Sequence, residues 1–397
     1  MEKNKIITIS GQPVTGKGTT VNALIDKFKK QGYSEENIHV ITTGHEFRNF
    51  FNAIFEFIKD YKDLEQVDNF KENTYLKELL EKKEYREILI DTIIQLKQNQ
   101  VDVNDLSIEH ANNLKEFSGL RKAIDTIIDS GIAKKGEEIN SVFNPNEIWI
   151  IDSRLAFHNI PESFSVRLIS NPQVAAERLF NDKSRGKEDS KYNSVEEAYE
   201  AREKRRIGEQ KRYMKRYGVD LEDENNYDLI IDTSYSTIED ISDTILTCLD
   251  RYTNGKPFAR NWASPKIFLP MQRELDTIRE GSCFSLEELE NIIKKYGYTP
   301  SSAIEVIDVD GIKYIIEGHH RNFALAHTQK TLIPYEIIAK DDEPLIYGNQ
   351  TARQRANSVR RADLYNHEWI IDEEFSYNEI YPGIYDRLKE RDESKER

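Results

Sequence analysis

The chain is poor in cysteine, and it has neither a long apolar run nor an excess of positive charge. Its 397 residues include two cysteines, Cys248 and Cys283, which are too few for a disulfide framework or a zinc site of their own. No apolar run approaches the roughly 20 residues that a membrane helix needs, and the short run at residues 6–9 lacks the core of a signal peptide. We therefore expect a cytoplasmic protein with no membrane partner.

Acidic side chains outnumber basic ones by 71 to 56, so the formal net charge is -15. Because phosphate backbones demand basic surface, this charge argues against a general nucleic-acid coat protein and leaves only a local basic patch open. The most basic stretch of the second half, residues 353–361, is interpreted as a solvated helix face in preference to a nucleic-acid contact. At this length the chain exceeds one typical core, so two or three domains are expected.

A glycine-rich segment, Gly-Gln-Pro-Val-Thr-Gly-Lys-Gly-Thr-Thr at residues 11–20, follows the short apolar run. This spacing is typical of a loop whose backbone N–H groups surround phosphate oxygens at the start of a helix. An ordinary glycine-rich turn is the alternative, which the full pattern disfavours. The residues predicted to bind a nucleoside triphosphate are Gly11, Gly16, Lys17, Gly18, Thr19 and Thr20, with Lys17 reaching the β- and γ-phosphates.

Strands and helices alternate over residues 1–252, which predicts an α/β fold with a parallel sheet covered on both faces. Residues 50–140 are predicted to form a helical insertion and residues 172–217 a charged helical lid. The pattern breaks near residues 252–265, which predicts a domain boundary. A smaller α+β domain with a charged tail is expected at residues 262–397. The other strands are predicted at residues 38–42, 148–152, 165–169 and 227–233.

Residues 1–252 resemble the cytidylate kinase family of P-loop nucleoside monophosphate kinases, in particular its shorter archaeal type. The resemblance implies a doubly wound P-loop NTPase fold, ATP and Mg²⁺ as cofactors, and a small phosphorylated acceptor, CMP or dCMP first. Residues 50–140 are longer than the family's usual insertion, so the residues that contact the base are not assigned. The segments that carry the resemblance are Gly-Lys-Gly-Thr at 16–19, Thr43-Gly44 through Phe47-Arg48, Ile151-Asp152-Ser153-Arg154-Leu155-Ala156, and the signature from Arg212-Tyr213 to Asp232-Thr233.

Arg48 and Arg154 follow strand ends, where ligands gather in open α/β sheets, and planar guanidinium groups bind phosphate through two N–H groups. We expect both to bind the acceptor phosphate, and Arg178 with them. Arginines of the lid are expected to reach the transferring phosphate, although each has a second interpretation as an ion pair with a nearby glutamate. The lid candidates are Arg178, Arg185, Arg202, Arg205 and Arg206, and the predicted catalytic set is Lys17, Arg154, Arg202 and Arg206.

Two residues are predicted to hold the metal ion, Thr19 and Asp152. Asp152 ends a strand, so it either holds Mg²⁺ through water or caps the following turn. Thr19 is a better metal or phosphate contact than Thr20.

Beyond the boundary, two short strands at residues 303–309 and 313–316 flank an Asp310-Gly311 turn, and a helix is predicted from Asn322. Residues 262–345 thereby resemble the ParB/sulfiredoxin-like fold. The resemblance and the N–H groups of a helix start imply a second phosphate site, with a possible second nucleotide, at Gly318, His319, His320 and Arg321. A metal site at the histidine pair is disfavoured, because adjacent side chains rarely point at one ion. Glu305 and Glu317 are candidates for acid–base or metal chemistry.

The main prediction is ATP-dependent phosphoryl transfer to a nucleoside monophosphate. Two alternatives remain open. One is a nucleotide-binding regulatory or DNA-associated ParB-like switch, and the other is a small-metabolite kinase with two phosphate-handling domains.

Overall fold

The computed structural model describes residues 4–60, 74–181, 192–271, 286–328, 332–346, 348–358, 370–372 and 375–376. These residues belong to two compact units. The first takes most of the chain up to Asn226, and the second takes Tyr227 onwards together with Asn22–Leu24 and Val166–Asn171. The domain boundary expected near residues 252–265 stays a prediction.

The sheet of the first unit is parallel. Strands β1 (Lys5–Gly11), β2 (Ile38–Thr42) and β3 (Ile148–Asp152) pair in the order β2-β3-β1. β1 is buried over most of its length, as expected for a parallel strand covered on both faces. The register sets Ile9 and Thr42 beside Asp152, so three strands end at one edge. The strands predicted at residues 38–42 and 148–152 are confirmed.

Helices of the first unit occupy most of the described part of residues 50–140 and 172–217, and the roles of these segments as insertion and lid stay predictions. Insertion helices enclose a core of their own around Phe51, Phe55 and Phe117, and the first of them already begins at Thr43. Residues 182–191, including Arg185, lie outside the described residues. The bounds are α1 (Lys17–Lys30), α2 (Thr43–Asp60), α3 (Thr74–Glu81), α4 (Lys83–Gln98), α5 (Ile108–Asn113), α6 (Ser118–Ser141), α7 (Ala156–Asn159), α8 (Pro172–Asn181) and α9 (Val195–Tyr217).

The second unit is built on a mixed sheet, in the order β4-β5-β6-β10-β8-β9-β7. The pairs β4–β5, β5–β6, β10–β8 and β7–β9 are parallel, and β6–β10 and β8–β9 are antiparallel. The strand bounds are β4 (Phe164–Ile169), β5 (Leu229–Asp232), β6 (Asn261–Ala263), β7 (Phe268–Leu269), β8 (Ile304–Val309), β9 (Ile312–Glu317) and β10 (Ile333–Lys340).

The α-helices that the described residues of the second unit form are α10 (Ile238–Thr253), α11 (Leu286–Tyr296), α12 (His319–His327) and α13 (Ala352–Ser358). A separate antiparallel pair is formed by β11 (Ile370–Asp372) and β12 (Phe375–Ser376). The helix predicted from Asn322 begins at His319, which corrects the prediction. The reason is that Gly318, with a φ of 101°, already turns the chain into the helix.

No helix among the described residues combines the length and the apolar character that crossing a bilayer requires.

Candidate active site

The glycine-rich loop, residues 11–17, joins β1 to α1 at the edge where the strands of the first unit end. Gly11 and Gly16 have φ angles of 149° and 84°, which a side chain would disfavour. Val14 is a non-glycine residue in the left-handed region, with a φ of 67°. Gly11 and Gly16 therefore allow the turn of the loop without strain, whereas Val14 takes up its left-handed conformation at a cost in free energy.

Lys17 lies across the mouth of this loop. Its Nζ donates to the carbonyl oxygens of Gly11 at 2.8 Å and Gln12 at 3.1 Å. Burial lowers the pKa of Lys17 to about 8, although the carboxyl of Asp152 acts in the opposite direction. The ammonium group is thus held against the backbone of the glycine-rich loop, and its contact with phosphate stays a prediction.

The two threonines after the loop differ in their surroundings. Thr20 is fully buried, and its hydroxyl donates to the carbonyl of Gly16 at 3.0 Å. Gly18 and Thr19 are exposed on the first turn of α1. The hydroxyl of Thr19 therefore has the better access to a ligand.

Asp152 ends β3 beside the loop. Burial raises the pKa of its carboxyl, while Lys17 and Arg154 act to lower it. Its backbone carbonyl accepts from the hydroxyl of Thr43 at 3.2 Å, which ties the start of α2 to the end of β3. The one carboxylate predicted as a metal contact thus lies within the electrostatic reach of Lys17.

Arg154 contacts α9 through the carboxylate of Glu209. Its backbone carbonyl accepts from Ser10 at 3.3 Å, and its guanidinium forms an ion pair with Glu209 of α9. The same Oε1 of Glu209 accepts from Nε of Arg205 at 3.0 Å. Arg154, which follows β3, and Arg205 of α9 are far apart in the chain and share one carboxylate oxygen.

Arg202 contacts the glycine-rich loop directly. Its side chain is 2% exposed, and it donates to Oε1 of Gln12 and, at 2.7 Å, to Oε1 of Glu203. Its Nε finds no hydrogen-bond partner among the described residues. Arg206 pairs with Glu203 at 2.8 Å and with Glu222 at 2.6 Å. Both arginines therefore pair with glutamate, and the functional roles predicted for them stay predictions.

The other end of α9 contacts the insertion. Arg216 lies 3.4 Å from Asp125 of α6 and also donates to Thr126, and the hydroxyl of Tyr217 donates to Asp129. Burial raises the pKa of Asp125 to about 6 and also raises that of Asp129. We call this set the α6–α9 contact.

Two further arginines were predicted for the acceptor. Arg48 lies in α2, with its Nη1 3.8 Å from where a Cβ on Gly44 would stand. Arg178 is half-buried on α8. Their roles stay predictions.

The second predicted phosphate site lies at the start of α12. His319 is buried, and its Nε2 accepts from the backbone N–H of Met271 at 3.0 Å, while His320 is half-buried in the same turn. Arg321 donates to the carbonyl of Ala303 at 2.9 Å and to the hydroxyl of Ser302 at 3.1 Å. The structure thus gives His319 and Arg321 bonds to the protein itself.

Glu305 and Glu317 are directly opposite each other in the β8–β9 pairing. Among the described residues, no group of three or more His, Cys, Asp or Glu side chains is placed to hold a metal ion.

The sequence interpretation did not single out Gln12, Glu203, Glu209, Asp125 or Asp129. A local signal existed for some of them. Glu203 and Glu209 stand three and four residues from the arginines that they pair with, and Asp125 and Asp129 share one face of α6. Gln12 had no such signal.

No family model matches the chain. A segment of 145 residues, 36% of the chain, is 32% identical to a cytidylate kinase of Methanocella arvoryzae and covers 76% of that kinase. A segment of 145 residues is also 28% identical to a cytidylate kinase of Methanosphaera stadtmanae, of which it covers 77%. Through this similarity the chain belongs to the cytidylate kinase family.

Two other likenesses are more limited. A segment of 135 residues is 28% identical to an S-adenosylmethionine-dependent nucleotide dehydratase of Lacinutrix mariniflava. The segment makes up 34% of this chain and covers 25% of that enzyme. A solved structure of an uncharacterized protein from Eubacterium ventriosum covers 62% of this chain and 99% of its own, at 12% identity and a TM-score of 0.34. A TM-score this low supports no inference.

Proposed function

We propose that the first unit is a kinase that transfers the γ-phosphoryl group of ATP to a nucleoside monophosphate, with CMP and dCMP as the first acceptors to test. Membership of the cytidylate kinase family supports the reaction class. The acceptor base is the finer part of the proposal, because no base contact is assigned in the insertion.

One observation carries the proposal. Three consecutive residues where β1 passes into the loop each contact a residue with a cationic side chain. The hydroxyl of Ser10 donates to the backbone carbonyl of Arg154, Gly11 accepts from Lys17, and Gln12 accepts from Lys17 and Arg202. Phosphoryl transfer asks the protein mainly for positioning and for neutralisation of charge, since little covalent chemistry falls to its side chains. A lysine and arginines assembled at one strand edge match that requirement.

The roles follow from the contacts. Lys17 would bind the β- and γ-phosphates, since its Nζ already lies at the loop carbonyls. Arg154 and Arg205 would bind the acceptor phosphate, because Glu209 brings their guanidinium groups together. Arg202 would hold the side chain of Gln12 in place beside the phosphates, since its buried guanidinium donates to Oε1 of Gln12.

The residues at the loop fit a magnesium ion that the nucleotide phosphates hold for the most part. Mg²⁺ takes oxygen ligands and commonly binds through one or two carboxylates plus phosphates. Two side chains would hold the ion through oxygen, the carboxylate of Asp152 and the hydroxyl of the exposed Thr19. The Asp152 carboxylate also interacts with the charge of Lys17. When bound, the ion would neutralise charge that develops on the phosphates.

A coupled assay of ADP release tests the proposal. Wild-type protein with ATP and Mg²⁺ is presented with CMP, dCMP, UMP and AMP, and with free serine as a non-nucleotide acceptor. We expect turnover with at least one monophosphate and a loss of about 100-fold or more in Lys17→Ala. The exposed Lys30→Ala, on the same helix, serves as the control. Turnover of serine alone, or activity that survives in Lys17→Ala, would overturn it.

We also propose that the start of α12 binds a second nucleotide through its backbone N–H groups and His320. The left-handed Gly318, which opens α12, supports this proposal. Equilibrium binding of CTP and ATP to Lys17→Ala, in which the first site is weakened, should still give a signal, and His320→Ala should reduce it. Binding that His320→Ala leaves unchanged would contradict the proposal.

A further inference from the structure

Glu209 is the point at which α9 and the end of β3 meet. Its side chain is 12% exposed, against 18% for Arg154 and 52% for Arg205. Burial alone would raise the pKa of Glu209, but Arg154 and Arg205 outweigh it and hold that pKa below its ordinary value. The carboxylate is therefore charged at neutral pH.

A single oxygen of Glu209 serves both arginines. Oε1 pairs with Nη1 of Arg154 and with Nε of Arg205. A guanidinium carries five N–H donors in a rigid fork, so one shared oxygen leaves most of each fork for another anion. Glu209 thus brings the two guanidinium groups together and leaves most of their N–H donors for another ligand.

The cations differ in how they are supported. Arg154 follows β3, whose strand pairing fixes its backbone, whereas Arg205 is on the more exposed face of a lid helix. Two guanidinium groups repel each other, and a charged carboxylate between them offsets that repulsion. Without Glu209, the repulsion between Arg205 and Arg154 is no longer offset, so Arg205 moves away from Arg154.

We propose that Glu209 is a positioning residue for phosphoryl transfer, which sets the separation and orientation of Arg154 and Arg205 around the acceptor phosphate. This inference rests on the proposed function of the same site. Preorganised charges accelerate a reaction because they need no rearrangement in the transition state. Glu209 acts through the arginines and does not itself contact the acceptor.

The proposal predicts opposite effects on binding and on turnover. Glu209→Gln removes a negative charge from the site, so an anionic acceptor should bind as well as before or more tightly. The arginines lose their fixed arrangement, so kcat should fall by about 10- to 100-fold. A carboxylate that merely competed with the phosphate would instead raise kcat/KM when removed.

Steady-state kinetics of Glu209→Gln and Glu209→Asp test the proposal, with ATP and the monophosphate that the wild type prefers. Glu200→Gln, at an exposed position on the same helix, is the matched control. We expect Glu209→Gln to lose kcat with an equal or lower KM for the acceptor and an unchanged KM for ATP. Glu209→Asp should regain part of kcat, and Glu200→Gln should match the wild type.

Circular dichroism and thermal melting identify a variant that fails to fold, in which case the Glu209→Asp data decide. An unchanged kcat, or an increased kcat/KM, in a folded variant overturns the positioning role and leaves the proposed function intact. Wild-type protein that turns over no monophosphate overturns the proposed function and this role with it.

Discussion

Arg202 of α9 donates a hydrogen bond to Gln12 of the glycine-rich loop, across 190 positions of the chain. The guanidinium is almost fully buried at this contact. Helix α9 is therefore joined to the glycine-rich loop by a side-chain pair that involves neither Lys17 nor the loop glycines.

Gln12→Leu should lower kcat by about tenfold, because it keeps the approximate volume of the side chain and removes the acceptor for Arg202. Gln12→Glu should keep the contact and raise the KM for ATP, because it adds a negative charge beside the phosphates. Steady-state kinetics check both, with the exposed Gln98→Leu as the control. Equal kinetics in Gln12→Leu and Gln98→Leu would show that the contact has no role in transfer.

The pH dependence of transfer should report on Lys17. Its folded pKa of about 8 lies below the ordinary 10.5, so the cation that phosphate binding needs is present below that pH and is lost above it. We expect kcat/KM for ATP to be level up to about pH 8 and then to fall about tenfold per pH unit. Lys17→Arg, although less active overall, should show no such fall. A wild-type profile that stays level to about pH 9.5 contradicts this assignment.

The same shift has a consequence for stability. Between pH 8 and 10.5 the unfolded chain binds more protons at Lys17 than the folded one, so this group makes the protein more stable as the pH rises through that window.

The free energy of opening of α6 should fall as the pH rises through the acidic range, because the cost of burying the ionised Asp125 outweighs its attraction to Arg212 and Arg216. Because burial raises the pKa of Asp125 to about 6, the folded state binds more protons there than the unfolded state between about pH 4 and 6. Relative to Asp125→Asn, the wild type should lose about 2 to 3 kcal/mol of opening free energy in α6 across that range. Hydrogen exchange of the backbone amides of α6 and α9 measures this free energy of opening, with Asp91→Asn, at an exposed position, as the control. A constant difference between wild type and Asp125→Asn would contradict the expectation.

Gly318→Ala should destabilise the second unit by about 2 kcal/mol or more. Gly318 has a φ of 101°, and an added Cβ would stand 2.5 Å from Cγ2 of Ile304. Gly348, with a φ of 107° and open space around its Cβ position, gives a matched control in Gly348→Ala. Hydrogen exchange of β8 compares the two. Equal losses of stability in the two variants would assign the effect to backbone conformation and not to the contact with Ile304. Phosphoryl transfer should be unchanged in both variants.

Much of the first unit was predictable because its elements have strong local patterns. The strands at residues 38–42 and 148–152 are β-branched runs, and their bounds match the structure. In the second unit β6 and β10 were not predicted. β6 has only three residues, and β10 contains Pro334, which normally argues against a strand paired on both sides.

The residues of the candidate site also fall into a group that local patterns predict and a group that they do not. Lys17 and Arg154 stand at positions that a strand–loop–helix pattern specifies. Gln12 and Glu209 owe their positions to tertiary contacts with residues far away in the sequence, which no local pattern reports. The start of α12 was predicted three residues late, at Asn322, because the sequence alone does not show the left-handed conformation by which Gly318 opens the helix.

The left-handed conformation of Val14 has a consequence for engineering. A β-branched side chain with a φ of 67° costs the resting protein about 1 to 3 kcal/mol that a glycine at this position would not. Val14→Gly therefore removes a local cost of the folded state, and selection for a higher melting temperature should test it early.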